Sequence, residues 1–118
     1  MGSTYFLVHL LGRARARGLA MLGERLSAEQ AEQWGLIWKC VADDQLMEQA
    51  HRMARRLAAG PRQCLGYIKR ALDAAELNTL SEQLDLERDY QQVLADTEDF
   101  SEGVAAFLGK RPPRFKGR

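Results

Sequence analysis

Almost no stretch of this chain alternates apolar and polar residues as a half-buried strand would. Glycines, a proline and capping residues instead cut it into short segments of helical spacing. Gly12, Gly23, Gly35, Gly60-Pro61, Asn78 and Gly109 each follow the last apolar residue of such a segment. Helices cannot run through this punctuation, so the chain reads as all-α, with about seven short helices. The first two cover Thr4 to Leu11 and Arg13 to Leu22, on either side of Gly12. Ser27-Ala28-Glu29-Gln30 opens a third, because the serine can cap the third amide while the glutamine reaches back to the serine N–H. A fourth begins after Asp44 and a fifth after Pro61, whose missing N–H costs nothing at a helix start. Thr79-Leu80-Ser81-Glu82 is a second capping box and opens the sixth. The seventh covers Thr97 to Leu108, and Pro112-Pro113 prevents any restart.

Each later helix carries an apolar stripe. These are Leu46, Ala50, Met53 and Leu57 on the fourth, and Leu65, Ile68, Leu72 and Ala75 on the fifth. Leu80, Leu84, Leu86, Tyr90 and Val93 mark the sixth, and Phe100, Val104 and Phe107 the seventh. Residues 36–41, Leu-Ile-Trp-Lys-Cys-Val, are the one candidate strand. A lone strand forms no sheet, so it must pair with something outside this chain or stay irregular.

The 118 residues are 46% hydrophobic and 28% charged, which argues for a folded domain, or part of one, rather than disorder. The formal net charge is 17 − 16 = +1, so no global field favours nucleic acid or an anionic membrane. Charge is nevertheless uneven. Arg52 to Arg70 holds six basic residues and no acid, Glu76 to Glu102 nine acids and only Arg88, and Lys110 to Arg118 five basic residues. Solvated faces that compensate one another are the simple reading. The sharper one sends the basic tail to a phosphate-bearing ligand or to an acidic surface of a neighbouring subunit. A nucleic-acid binder using both basic runs ranks last, because the acidic stretch between them would repel phosphate.

No apolar run approaches the roughly 20 residues of a membrane span, and the first residues lack the basic and cleavage regions of a secretory signal. Cys40 and Cys64 have no CxxC spacing, and with only His9 and His51 beside them they cannot make a structural zinc site. They read as reduced, near-core residues of a cytoplasmic protein. His9 lies in an apolar stretch and His51 in an Arg-rich one, so neither reads as a general base. The carboxylates between Asp85 and Asp99 read as a solvated face. Trp34 and Trp38 straddle Gly35 and read as packing anchors. By residue pattern alone there is no visible active site.

An ordered set of short motifs carries more. Gly2-Ser3-Thr4, Gly12-Arg13-Ala14, Leu22-Gly23, Ser27-Ala28-Glu29-Gln30-Ala31, Gly35-Leu36-Ile37 and Lys69 resemble the trailing part of the crotonase (enoyl-CoA hydratase/isomerase) superfamily. So does the ending, Glu102-Gly103-Val104-Ala105-Ala106-Phe107-Leu108-Gly109-Lys110-Arg111-Pro112-Pro113-Arg114-Phe115, which is similar to that family's EGxxAFxxKRxPxF signature. Gly35 to Lys39 and Asn78 to Gln91 look most like the phenylacetate-degradation isomerases that act on ring-epoxide phenylacetyl-CoA. Ser3 departs from the second glycine of the family motif, and Val8-His9 from its Pro-Arg.

The resemblance implies residues 1–108 as the C-terminal helical, oligomer-forming part of such a fold, followed by a basic tail over 109–118. It implies homo-oligomers, trimers or hexamers, and a CoA thioester substrate from β-oxidation or phenylacetate degradation. The reaction runs through a stabilised enolate, as isomerase or as lyase-type hydratase, with no metal and no redox cofactor. Phe107 matches an aromatic beside the CoA of a neighbouring subunit, and Lys110 a lysine that meets a CoA phosphate. The oxyanion hole and proton-moving acids of the family match no residue here. The expectation is therefore that the chain alone is inactive. A non-catalytic helical protein–protein interaction module is the alternative.

Overall fold

In a computed structural model, residues 2–118 are described, and they form six α-helices with no strand among the described residues. The helices are α1 (Ser3–Leu22), α2 (Ala28–Gln33), α3 (Leu46–Ala58), α4 (Arg62–Ala75), α5 (Leu80–Ala95) and α6 (Glu98–Leu108). A 3₁₀ turn over Asp43–Gln45 leads into α3. The count is six because the first two expected helices run together. The expected interruption is still there, since Gly12 sits at φ 75° and ψ 168°, outside the helical region. Both capping boxes form. Gln30 N–H donates to Ser27 Oγ at 3.2 Å, and Thr79 N–H donates to Glu82 Oε2 at 2.8 Å.

The candidate strand over 36–41 is corrected to irregular chain. The amides of Leu36 and Ile37 both donate to the carbonyl of Ala31, at 2.8 and 3.3 Å, and Gly35 turns the chain at φ 78°. With no neighbouring strand to bond, these donors satisfy the open carbonyls at the end of α2 instead.

The chain divides into two compact units, Met1–Met47 and Glu48–Arg118. In the first, Leu11, Ala16 and Ala31 are buried, and the Arg15 guanidinium lies 5.1 Å from the centre of the Trp34 ring. Trp38, beyond Gly35, is 85% exposed, so the two tryptophans face different surroundings.

In the second unit α4 and α5 pack as an antiparallel pair, with α6 against α5. Tyr67 and Tyr90 meet edge to face at 4.7 Å, and Gln83 Nε2 donates to the Ala71 carbonyl at 3.1 Å. The half-buried residues of α4 are Cys64, Tyr67, Ala71 and Ala74, with Leu65 at the edge of that face. The more obvious stripe lies one residue round, and its Ile68 and Leu72 are exposed. On α6 the pattern repeats. Asp99 and Ala106 are buried, while Phe100, Val104 and Phe107 face outward. The fold thus leaves the strongest apolar faces of α4 and α6 uncovered. No helix among the described residues is long and apolar enough to cross a membrane.

Candidate functional site

The site is built on α6 and on the chain that folds back from its end. Thr97 caps the helix, accepting the Phe100 N–H at 3.1 Å. Two carboxylates then project from the inner face one turn apart, Asp99 and Glu102, and both are occupied by the tail. Asp99, only 5% exposed, accepts the amides of Lys116 at 2.6 Å and Gly117 at 2.8 Å. Its own N–H donates to the Arg118 carbonyl at 3.0 Å. Glu102 takes both terminal nitrogens of Arg111, at 2.6 and 2.8 Å, and the Arg114 N–H at 2.7 Å. This two-pronged pairing and the extra amide hold the Glu102 carboxyl far down, at about 2. Glu98 is also held below the usual carboxylate range, first by the Lys116 ammonium and then by Arg118.

These contacts give physical sense to the terminal signature. Glu102 is the clamp for the arginines. Gly103 faces the Phe115 ring, which stands 3.8 Å from where a Cβ would be, an ordinary contact distance. Ala106 is 2% exposed at the centre of the covered face. The acidic run and the basic tail do compensate each other, inside one chain. The sequence reading of these acids as a solvated face missed Asp99 and Glu102. The available signal was Glu102 and Gly103 standing in one motif with Arg111, Arg114 and Phe115.

The end of α6 is a Schellman turn. Arg111 N–H donates to the Ala106 carbonyl at 3.0 Å, and Lys110 N–H to the Phe107 carbonyl at 3.2 Å. Gly109, the expected stop, has an ordinary φ of −80°. The left-handed residue is Lys110, at φ 47°.

Of the two residues expected to meet a ligand, Phe107 is 83% exposed on the last turn of α6. It lines an open, apolar hollow of about 610 Å³ together with Cys64, Leu94, Phe100, Val104 and Phe115. Lys110 is not among the residues lining that hollow, and it stands exposed on the turn that follows. The Lys110 N–H bond to the Phe107 carbonyl, at 3.2 Å, puts both residues on the turn that ends α6, and both are exposed. Tyr90, on the stripe of α5, is engaged with Tyr67.

The histidines sit elsewhere. His9 Nδ1 is 2.8 Å from the Tyr5 carbonyl oxygen and its ring stacks on Tyr5, while His51 is exposed on α3. Cys40 and Cys64 are half-buried free thiols, and partial burial pushes the Cys40 thiol up. Among the described residues no three His, Cys, Asp or Glu side chains gather as metal ligands would.

Known proteins match the chain along its length. The enoyl-CoA hydratase/isomerase family model matches residues 1–118. A 1,2-epoxyphenylacetyl-CoA isomerase of Escherichia coli K12 is 54% identical over 117 residues, which are 99% of this chain and 45% of that protein. A crystal structure of enoyl-CoA hydratase subunit I from Geobacillus kaustophilus HTA426 superposes with a TM-score of 0.93 at 42% identity, over 99% of this chain and 46% of that one. An enoyl-CoA hydratase from Polaromonas sp. JS666 gives a TM-score of 0.91 at 39% identity, over 98% and 45%. The chain therefore spans about half the length of the relatives it matches. Matched from end to end, the chain belongs to the enoyl-CoA hydratase/isomerase family.

Proposed function

We propose that this chain is the helical, oligomer-forming part of an acyl-CoA isomerase that acts on ring-1,2-epoxyphenylacetyl-CoA. The 54% identity to a 1,2-epoxyphenylacetyl-CoA isomerase carries that reading. The reaction passes through a thioester enolate, and its oxyanion donors and proton-moving acids come from residues outside these 118. Residues 1–108 build the oligomer, a trimer or hexamer of a cytoplasmic enzyme, and residues 109–118 are its basic tail.

Within that assembly Phe107 and Lys110 form one wall of the CoA site of a neighbouring subunit. A flat, exposed ring suits the apolar length of CoA or its base, and a compact ammonium one turn on suits a phosphate. In this reading the hollow beside Phe107 is covered when subunits meet.

The test is turnover by the protein purified at its native length. Isomerisation of ring-1,2-epoxyphenylacetyl-CoA is the expected result. Turnover of crotonyl-CoA alone would make the enzyme a hydratase, as the solved relatives are named. Phe107→Ala and Lys110→Ala should each raise KM for a CoA thioester about tenfold, the usual worth of one charge-assisted or stacking contact. The 118-residue chain alone should turn over neither substrate.

One observation favours a second reading, a helical interaction module without catalysis. Leu72, Leu77 and Phe107 are all largely exposed on the second unit. That reading predicts stable association with no affinity for CoA at all.

A further inference from the structure

Lys110 occupies a backbone conformation that a glycine would adopt more cheaply. Two other helices of this chain end on a left-handed residue, and both use glycine, Gly23 at φ 65° and Gly35 at φ 78°. Among the described residues Lys110 is the one non-glycine residue with positive φ. A glycine stands immediately before it, yet Gly109 keeps φ −80° and leaves the left-handed position to the lysine. Steric cost at a single residue persists only where the surroundings over-determine it, and such residues cluster at functional sites.

Contacts on both sides of Lys110 do so. On one side Lys110 is continuous with α6, closed by the bonds from Arg111 N–H to the Ala106 carbonyl and from Lys110 N–H to the Phe107 carbonyl. On the other side Glu102 grips Arg111 through both guanidinium nitrogens and takes the Arg114 N–H. Residues 111–114 are thereby tied to α6 directly after Lys110. The side-chain charges of the tail are spent unequally. Arg111, Lys116 and Arg118 form salt bridges with Glu102 or Glu98, while among the described residues the side chains of Lys110 and Arg114 form none, and of these two only Lys110 stands on the left-handed turn.

Resting on the assignment of Lys110 to a CoA phosphate, we propose that Glu102 is a positioning residue for that lysine. Through Arg111 and the Arg114 amide it holds the end of α6 in the turn that aims Lys110. Glu102 makes no contact with the ligand. Its role is to remove the backbone freedom that Lys110 would otherwise lose on binding an anion.

The experiment is a double-mutant cycle on the enzyme at its native length. Steady-state kinetics are taken with a CoA thioester and with the matching pantetheine thioester, which carries the acyl group and no phosphate. Lys110→Ala should raise KM for the CoA thioester about tenfold and leave the pantetheine substrate unaffected. Glu102→Gln should raise the same KM severalfold, leave kcat within twofold, and add nothing in the Lys110→Ala background. If Glu102→Gln raises KM equally in both backgrounds, or equally for the pantetheine substrate, its effect is structural and the proposal is overturned while the role of Lys110 stands. If Lys110→Ala leaves KM unchanged, the CoA reading of Lys110 falls, and the proposal with it. Should Glu102→Gln fail to fold, Arg111→Gln reads the same coupling. A third readout is thermal: Lys110→Gly should melt no lower than the parent while matching Lys110→Ala in KM. Melting below the parent would show that the lysine is not held at a cost, and would count against the proposal.

Discussion

Glu102 and Arg111 meet through both carboxylate oxygens, at 2.6 and 2.8 Å, across the turn that ends α6. They are nine residues apart, too far for a pair within one helix, so their meeting records the chain reversal itself. The same carboxylate accepts the Arg114 amide, and one turn earlier Asp99 takes those of Lys116 and Gly117. Residues 111–118 are basic in composition, yet they are a folded strap whose backbone is held by two acids of one helix.

The clamp should be acid-sensitive in a defined window. Glu102 titrates near 2 when folded, against 4.5 for a free glutamate. A depressed carboxyl contributes stability that is complete above its unfolded value and is lost as pH falls towards the folded one. Glu102→Gln should therefore lower the melting temperature at pH 7, and the gap to the parent should close between about pH 4.5 and 2. Melting curves across that range test this, and a gap that persists at pH 2 contradicts it.

Gly117 should resist a side chain because of its backbone. It sits at φ 78°, and a Cβ there would also push aside the end of the Arg62 side chain, which donates to the neighbouring Lys116 carbonyl at 3.0 Å. Gly117→Ala should cost about 1–3 kcal/mol of stability through strain and loss of that bond. Chemical denaturation measures the loss, and proteolysis should cut the strap faster in the variant.

Thr79→Ala removes the cap of α5. The hydroxyl accepts the Glu82 N–H at 3.4 Å while the Glu82 carboxylate takes the Thr79 N–H at 2.8 Å. The expected loss is about 1 kcal/mol, and Thr79→Ser should restore most of it. Thermal melts of the two variants decide.

The 118-residue chain should self-associate. Trp38, Leu77 and Phe107 are more than four-fifths exposed, and few side chains are buried. Surfaces of this kind are covered in stable soluble proteins. Light scattering should give a mass well above 13.3 kDa, and a monodisperse monomer would sink the prediction.

Helix ends were legible in the sequence because the forces that set them are local. Ser27 with Gln30 and Thr79 with Glu82 cap as their spacing requires, and Gly12, Gly23 and Gly35 break or end helices where they stand. The all-α character followed, and the motif order pointed to the family. The residues around 36–41 misled, because β-branched and aromatic content signals a strand only if a partner strand exists. Here the Ala31 carbonyl competed for the amides of Leu36 and Ile37.

Residue spacing could not say which stripe of a helix is covered. Leu65, Ile68, Leu72 and Ala75 repeat at helical spacing whether or not anything packs on them. The interlock of Tyr67 with Tyr90 and of Ala71 with Gln83 selects the neighbouring face instead. Nor could charge counting tell a solvated acid from a clamped one. Asp99 and Glu102 are clamped because residues 111–118 return to them, across 9 to 18 residues. Capping and chain breaking act over about four residues, so the local sequence carries them. Face selection and the strap depend on groups far apart in the chain, which only the tertiary structure brings within hydrogen-bond distance.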